Sequence, residues 1–378
     1  MKNLITSESV TIGHPDKMCD LIADYLLDAY LKVDENSRAA IEVMATKNKV
    51  IISGEVTSKG KINIEKIVRD TIISIGYDCN DACYNGKTIP IEIIMNTQSP
   101  DISIGVNKKN IGAGDQGMMM GYATNETDEF MPITCVLANN LAKRLEEVRR
   151  KKILSYLLPD GKCQVTIDSV NKRVDTIVLS TQHMDVDMEK LRCDIKREVI
   201  DKVIPQKYLT PKTKYLINPT GRFRIGGPLG DTGLTGRKII VDTYGGVVPH
   251  GGGAFSGKDY TKVDRTGAYY ARYVAKNIVA SGLCDKLLIT VSYAIGVSKP
   301  VSIHAEIYEN NLEKLNIIYE IIDKFFDFSP DNMIRELGLK EPFYHMTTAY
   351  SHFGKASLPY EKLDKVETIK KYVQKRRK

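Results

Sequence analysis

Residues able to bind a polyphosphate and a hard metal ion gather in four segments of the sequence. The richest is His250-Gly251-Gly252-Gly253-Ala254-Phe255-Ser256-Gly257-Lys258-Asp259. Glycines let the backbone approach phosphate oxygens closely, and Lys258 brings the countercharge. Gly252 to Lys258 has the G-x-x-x-x-G-K spacing of a phosphate-binding P-loop. Asp259 then stands where a P-loop needs Ser or Thr for its metal. Tyr244 to Pro249 also separates the run from the strand expected at Lys238–Asp242. The glycines and lysine suit phosphate, but the P-loop architecture does not follow. Downstream, Lys262 and Asp264 add a cation and a candidate metal ligand just before an expected helix.

The second segment is Gly13-His14-Pro15-Asp16-Lys17. Pro15 suits the first turn of a helix, which places His14 and Asp16 where free backbone N–H groups attract an anion. Asp16 is a candidate magnesium ligand and His14 a candidate phosphate donor. An ordinary helix cap explains this segment equally well. The third, Gly112-Ala113-Gly114-Asp115-Gln116-Gly117, follows Gln98-Ser99-Pro100-Asp101 and the polar Asn107-Lys108-Lys109-Asn110. That stretch reads as a lid; alone, the glycine segment reads as a surface loop. The fourth runs from Asn218-Pro219-Thr220-Gly221-Arg222-Phe223 through Gly226-Gly227-Pro228 to Asp231, Arg237 and Lys238. Its cations can neutralise a polyphosphate and its ring can stack on a base. A Gly/Pro-rich connection with solvated charges is the alternative. The two cations directly before Ile239-Ile240-Val241 favour function.

These loops need a scaffold, and 378 residues suffice for two or three domains. Apolar residues at 42% and charged ones at 27% exclude extended disorder. No apolar run approaches a membrane span, and the N-terminal residues lack a signal-peptide pattern. A cytoplasmic location is therefore expected. The seven cysteines are odd in number, and only Cys79 and Cys83 lie close together. Reduced thiols are expected rather than zinc. The net charge of +7 includes a basic tail, 371–378, expected to be frayed and solvated.

Helical periodicity spans Asp16–Leu31, and two strand-like runs follow, Ala39–Thr46 and Val50–Thr57. A helix at Ile64–Ile75 and a strand at Ile89–Asn96 complete the unit. The middle repeats the order with helix Ile133–Arg149, strands Gln164–Asp168 and Val174–Ser180, helix Met188–Val203 and strand Lys214–Ile217. The last third has helix Gly267–Ala280, strands Lys286–Tyr293 and Val301–Ile307, and helix Leu312–Phe326. The expected fold is α+β: three similar modules in pseudo-threefold arrangement (1–100, 112–230 and 231–370), each with helices on one sheet face. The other face is free for dimerisation.

Together the segments closely resemble the S-adenosylmethionine synthetases. Both glycine motifs stand complete, and Gly13 to Lys17, Asn218 to Phe223 and Val263-Asp264-Arg265 match in order. The resemblance implies a reaction of ATP with L-methionine and a site shared between subunits of a homo-oligomer, commonly a dimer of dimers. It implies Mg2+, two per site, and K+; on the residues themselves no nucleic-acid or membrane partner is expected. It makes His14, Lys162, Arg237 and Lys258 catalytic, with Asp160, Arg222, Phe223, Asp231, Lys238 and Ala254 as further ATP contacts. Glu55, Gln98, Asp115, Lys262 and Ile295, again with Asp231, become methionine contacts. Asp16 and Asp264 become Mg2+ ligands and Glu42 a K+ ligand. Without it, Glu42 and Glu55 read as sheet-surface acids, and Asp160 as part of a turn. Two departures stand out: the stretch from Gln98 to Gly112 is short, and Tyr260 replaces a usual proline. Two rivals remain on the residues alone. A P-loop kinase or ATPase would form ADP, and an RNA-binding module would use the basic tail.

Overall fold

The computed structural model describes residues 3–78, 84–97 and 112–376. The first third comprises β1 (Leu4–Val10), α1 (Pro15–Val33), β2 (Arg38–Ala45), β3 (Val50–Thr57), α2 (Ile64–Ile75) and β4 (Ile91–Asn96). The middle holds β5 (Gly117–Thr124), α3 (Ile133–Arg150), β6 (Leu157–Asp168), β7 (Arg173–His183), α4 (Met188–Ile195) and β8 (Lys214–Ile217). The last third holds β9 (Gly233–Leu234), α5 (Ile239–Asp242), α6 (Val263–Ala280), β10 (Lys286–Tyr293) and β11 (Ser302–Ile307). After these come α7 (Leu312–Phe325), α8 (Pro330–Leu337), α9 (His345–Thr348) and α10 (Val366–Arg376).

Local signals set many of these limits. The His14 ring accepts the Asp16 N–H and Pro15 fills the first turn of α1. Asn63 caps α2 by accepting the Lys66 N–H at 2.9 Å. The expected helix Met188–Val203 is α only to Ile195 and continues as a π-turn, Lys196–Ile200, before a last α turn. β1 and β5 were not anticipated. In β1, Ser7 and Ser9 are buried, so its polar composition hides a core strand.

The sheets show how the modules interlock. Their strand orders are β4-β3-β2-β9, β1-β6-β7-β8 and β11-β10-β5. β1 belongs by sequence to the first third but pairs antiparallel with β6 of the second. β5 likewise pairs with β10 of the third, and β9 with β2 of the first. Each third lends one strand to the next, in a closed cycle. This exchange gives the three-part plan its pseudo-threefold character. The third sheet contains no counterpart of β4 and β8 among the described residues.

Helices α1, α2, α6 and α7 share one apolar core, and α3 and α4 cover β6 and β7 in another. On β10, Ile289 and Val291 are buried, and so is Leu288 on the opposite face. Other sheet residues stay exposed, notably Met44, Ile94, Leu234 and Met118.

Two expectations are corrected. Lys238–Asp242 is not a strand: Ile239–Asp242 forms one helical turn, closed by Asp242 N–H donating to Lys238 O at 2.8 Å. An apolar triplet fits either conformation; here Asp242 is drawn inward by Lys17, leaving Ile240 39% exposed. The basic tail is not frayed through residue 376. Ile369, Tyr372 and Val373 lie at helical spacing, Ile369 is buried, and Tyr372 packs edge-on to Phe325. Glu320 accepts from Tyr372 at 3.0 Å and pairs with Arg376 at 2.8 Å. The five described cysteines are free thiols, four of them buried; Cys79 and Cys83 lie outside the described residues.

No helix among the described residues is long and apolar enough to cross a membrane.

Candidate active site

The N-terminus of α1 opens on a cleft of about 380 Å³, lined by His14, Asp160, Lys162, Phe223 and Asp231 among others. His14 uses Nδ1 to accept the Asp16 N–H at 3.2 Å, so its proton sits on Nε2. Burial, helped by the Lys238 cation, lowers its pKa to about 3. His14 is therefore a neutral N–H donor throughout the neutral range.

Asp16 accepts the Leu234 N–H at 3.0 Å and pairs with Lys238 at 2.6 Å; Arg237 lies 3.9 Å away. Burial alone would raise the Asp16 carboxyl, but Lys238 and the Leu234 N–H hold it below its ordinary value. It is a fixed anion flanked by two cations.

β6 and β7 build the far wall. Lys162 on β6 pairs with Glu8 of β1 at 2.7 Å, a partner that sequence reading missed. Asp160 is buried and accepts the Gly227 N–H at 2.8 Å. Burial raises its pKa to about 6 despite that bond. His183, at the end of β7, exchanges two hydrogen bonds of 3.0 Å with the Phe223 backbone and so fixes the ring on the cleft. Arg222 and Arg237 are exposed.

A second group lies on the same edge of β2. Gly257 and Asp259 pair with Ile41 and Ala39, so Lys258 bridges Ala40. Gly257 has φ +80°, and an added Cβ would fall 2.0 Å from Ile41 O. Only glycine fits there. Lys258 pairs with Asp264, at the start of α6, at 2.7 Å. A Cβ added at Gly253 would meet the Asp264 side chain, with Oδ1 at 2.3 Å. Ala254 sits against Gly236, where an added Cβ would come within 2.8 Å of its own. Glu42 and Glu55 are exposed on β2 and β3. Partial desolvation raises the Glu42 carboxyl, while Lys258 opposes this.

The two groups stand at opposite ends of one strand edge. Leu234, bonded to Asp16, pairs with Met44, and Lys258 bridges Ala40. Four residues of strand separate them by about 13 Å. Asp115 and Ile295 are exposed on neighbouring loops, joined by Ala113 N–H to Val297 O at 2.9 Å and Gly296 N–H to Ala113 O at 2.8 Å. Lys262 does not point outward: its ammonium is taken by buried Asp259. Gln98 and the 99–111 stretch lie outside the described residues. Tyr260, the departure noted above, is buried, donates to Glu35 O at 2.9 Å and accepts from Arg38 at 2.7 Å. It ties the glycine loop to the turn after α1.

Models of the S-adenosylmethionine synthetase N-terminal, central and C-terminal domains match residues 2–100, 110–223 and 225–362. The chain belongs to the S-adenosylmethionine synthetase family. It is 51% identical to the S-adenosylmethionine synthase of Clostridium botulinum over 391 aligned positions, covering 99% of this chain and 100% of that one. The synthase of Clostridium tetani is also 51% identical, and that of Finegoldia magna 50%, with the same coverage. The S-adenosylmethionine synthetase models thus span both residue groups and the strand exchange that joins them.

Proposed function

We propose that this protein transfers the adenosyl group of ATP to the sulfur of L-methionine, forming S-adenosylmethionine, and cleaves the released triphosphate to pyrophosphate and phosphate. The observation that carries the reading is the full-length likeness to S-adenosylmethionine synthases. The geometry agrees with it. A thioether has no proton to lose, so the transfer needs no general base. It needs alignment and stabilisation of a departing polyanion. Neutral His14 can donate Nε2–H to the oxygen that leaves the 5′ carbon. Lys162, Arg237, Lys238 and Lys258 supply positive charge, and Asp160 accepts from the ribose side. Phe223 offers a stacking face for adenine.

The carboxylates fit Mg2+. Asp16 and Asp264 are hard oxygen donors in the first turns of α1 and α6, each paired with a lysine. Mg2+ commonly takes one or two carboxylates and completes its shell from phosphate and water. Among the described residues no group of three or more acidic, His or Cys ligands forms a cage, which suits an ion shared with substrate. When bound, Mg2+ would neutralise triphosphate charge. Glu42, near the Thr235 hydroxyl, offers oxygen donors for K+. Glu55, Asp115 and Ile295 lie on the methionine side of this reading, and Arg222 on the adenine side.

The 13 Å separation supports a site completed by a second copy, whose natural seat is the exposed sheet face bearing Met44, Ile94 and Leu234. Residues 1–100, 112–230 and 231–370 serve as the modules in this reading. A cytoplasmic enzyme without nucleic-acid or membrane partners is the corresponding expectation.

Incubation with ATP, L-methionine, Mg2+ and K+ should yield S-adenosylmethionine, pyrophosphate and phosphate, without ADP. Product chromatography with and without methionine checks this; ADP formed without methionine would favour the kinase reading. The pH profile is a separate check. Asp160 is ionised, and accepts ribose hydroxyls, above about pH 6. The kcat/KM for ATP should fall below that pH by one protonation, and Asp160→Asn should remove the inflection. His14, with a pKa of about 3, should contribute none between pH 6 and 8.

A further inference from the structure

A cavity of about 410 Å³ lies between α3 and the segment that follows α9, and it shares no lining residue with the His14 cleft. Val136, Asn139, Asn140 and Lys143 come at helical spacing, so one face of α3 forms one wall. Tyr350 and residues 353–357 form the other. Tyr350 and Ser351 hold φ angles of +56° and +71°, a region costly for residues other than glycine. Buried partners hold this wall in place. The Ser351 hydroxyl points to Asp242 O and Thr243 O, both at 3.2 Å, and the Gly354 N–H donates to Glu361 at 2.7 Å.

Two lysines line the cavity, and among the described residues neither is paired with a carboxylate. Glu146 and Glu147 lie one helical turn from Lys143. Arg149 and Arg150 take the first of them, and Arg144 and Lys151 the second. Lys143 is left exposed without a countercharge. Lys355 is half-buried and donates to Met346 O at 2.9 Å and to Thr347 O at 2.8 Å. These bonds cap the last carbonyls of α9 and use two of the three ammonium hydrogens. Carbonyl dipoles do not cancel a full charge. Burial, reinforced by Lys17 and Lys143, lowers the Lys355 pKa to about 7, although Asp242 and Glu361 oppose this. Glu129 also lines the cavity and pairs with neither lysine.

We propose that this cavity binds a small, multiply charged oxyanion, a phosphate ester or a polycarboxylate, between Lys143 and Lys355. The side-chain amides of Asn139 and Asn140 are further donors. An anion there supplies the countercharge that the surrounding residues do not provide, through charge-assisted hydrogen bonds. The site does not depend on the proposed reaction.

The test uses the full chain, isotope-labelled at its methionine methyl groups. Met131 lines this cavity, and no methionine lines the His14 cleft, so the Met131 methyl reports this site alone. Sulfate, inorganic phosphate and citrate are titrated separately against a sodium chloride control, with the resonance assigned by Met131→Leu. A saturable shift is expected with sulfate; whichever of phosphate and citrate binds more tightly names the class. Lys143→Gln should weaken sulfate about tenfold, the loss of one charge-assisted hydrogen bond. Glu129→Gln should tighten it, a gain that disrupted structure would not produce. Sulfate keeps its charge from pH 6 to pH 8, so its affinity should fall about tenfold over that range as Lys355 loses its proton. Thermal unfolding checks that each variant is folded. A Met131 methyl that moves no more than in chloride, a sulfate affinity unchanged by Lys143→Gln or not raised by Glu129→Gln, or one that does not vary with pH overturns the proposal.

Discussion

Lys258→Ala is expected to lower the rate of S-adenosylmethionine formation by about 10²–10³-fold, the usual effect of removing one pre-set stabiliser of developing charge. Three features place the burden on this lysine. The loop that carries it is pinned to β2 by the Gly257 and Asp259 bonds. Its ammonium faces Asp264, so it is held at a defined point rather than waving in solvent. The bond broken in the proposed reaction leaves a polyanion, which calls for fixed cations such as Lys258. Folding should be spared, because the Lys258 side chain is partly exposed and its removal leaves Asp264 able to hydrate. The check is initial rate at saturating ATP and methionine, alongside circular dichroism. Undiminished turnover would refute the assignment.

Glu361→Ala is expected to destabilise the fold by about 3–5 kcal/mol, the range for leaving a buried charge without its partner. Glu361 is fully enclosed and serves four donors. Arg272 reaches both its oxygens at 3.1 and 3.0 Å, Lys276 pairs with it at 2.7 Å, and the Gly354 N–H donates at 2.7 Å. Its loss strands two cations on α6, the helix that also presents Asp264. Arg272 is further tied to Tyr122 O at 2.7 Å on β5, so the defect reaches the strand lent by the middle third. Burial alone would raise the Glu361 carboxyl, but Arg272 and Lys276 more than offset this and hold it below the ordinary 4.5. Its contribution is therefore fully present above pH 4.5 and is lost as pH falls through the lower folded value. Urea unfolding at pH 7 and at acid pH measures both effects. A midpoint unchanged at pH 7 would show that the cations find other partners.

The two substitutions separate what loops and core each contribute. Lys258 sits at the end of a short chain of contacts that starts at Asp24 on α1, and Glu361 holds Arg272 and Lys276 of α6. The proposed phosphate role of Lys258 was legible from residue type and spacing, but the role of Glu361 was not.

The sequence by itself determined the elements whose limits depend on near neighbours. The span of α2 follows from the Asn63 cap and apolar spacing, and β8 and β10 have the limits that their apolar runs imply. It also supplied the residue types of the site and the reason to reject a P-loop, since Asp259 sits one position from Lys258. Tertiary structure decided everything that depends on partners far along the chain. β1, β5 and β9 join the sheets of other thirds, because strand pairing is chosen by shared burial rather than by proximity in sequence. Ile239–Asp242 became a helical turn because Lys17 draws Asp242 inward, a contact spanning 225 positions. Lys262 looked free but is claimed by Asp259. The aspartates of α1 carry no local mark of burial, for the N–H groups that satisfy Asp20 and Asp24 lie 216 and 233 positions away. A buried carboxylate is stable only when distant donors converge on it, and that convergence is a property of the fold.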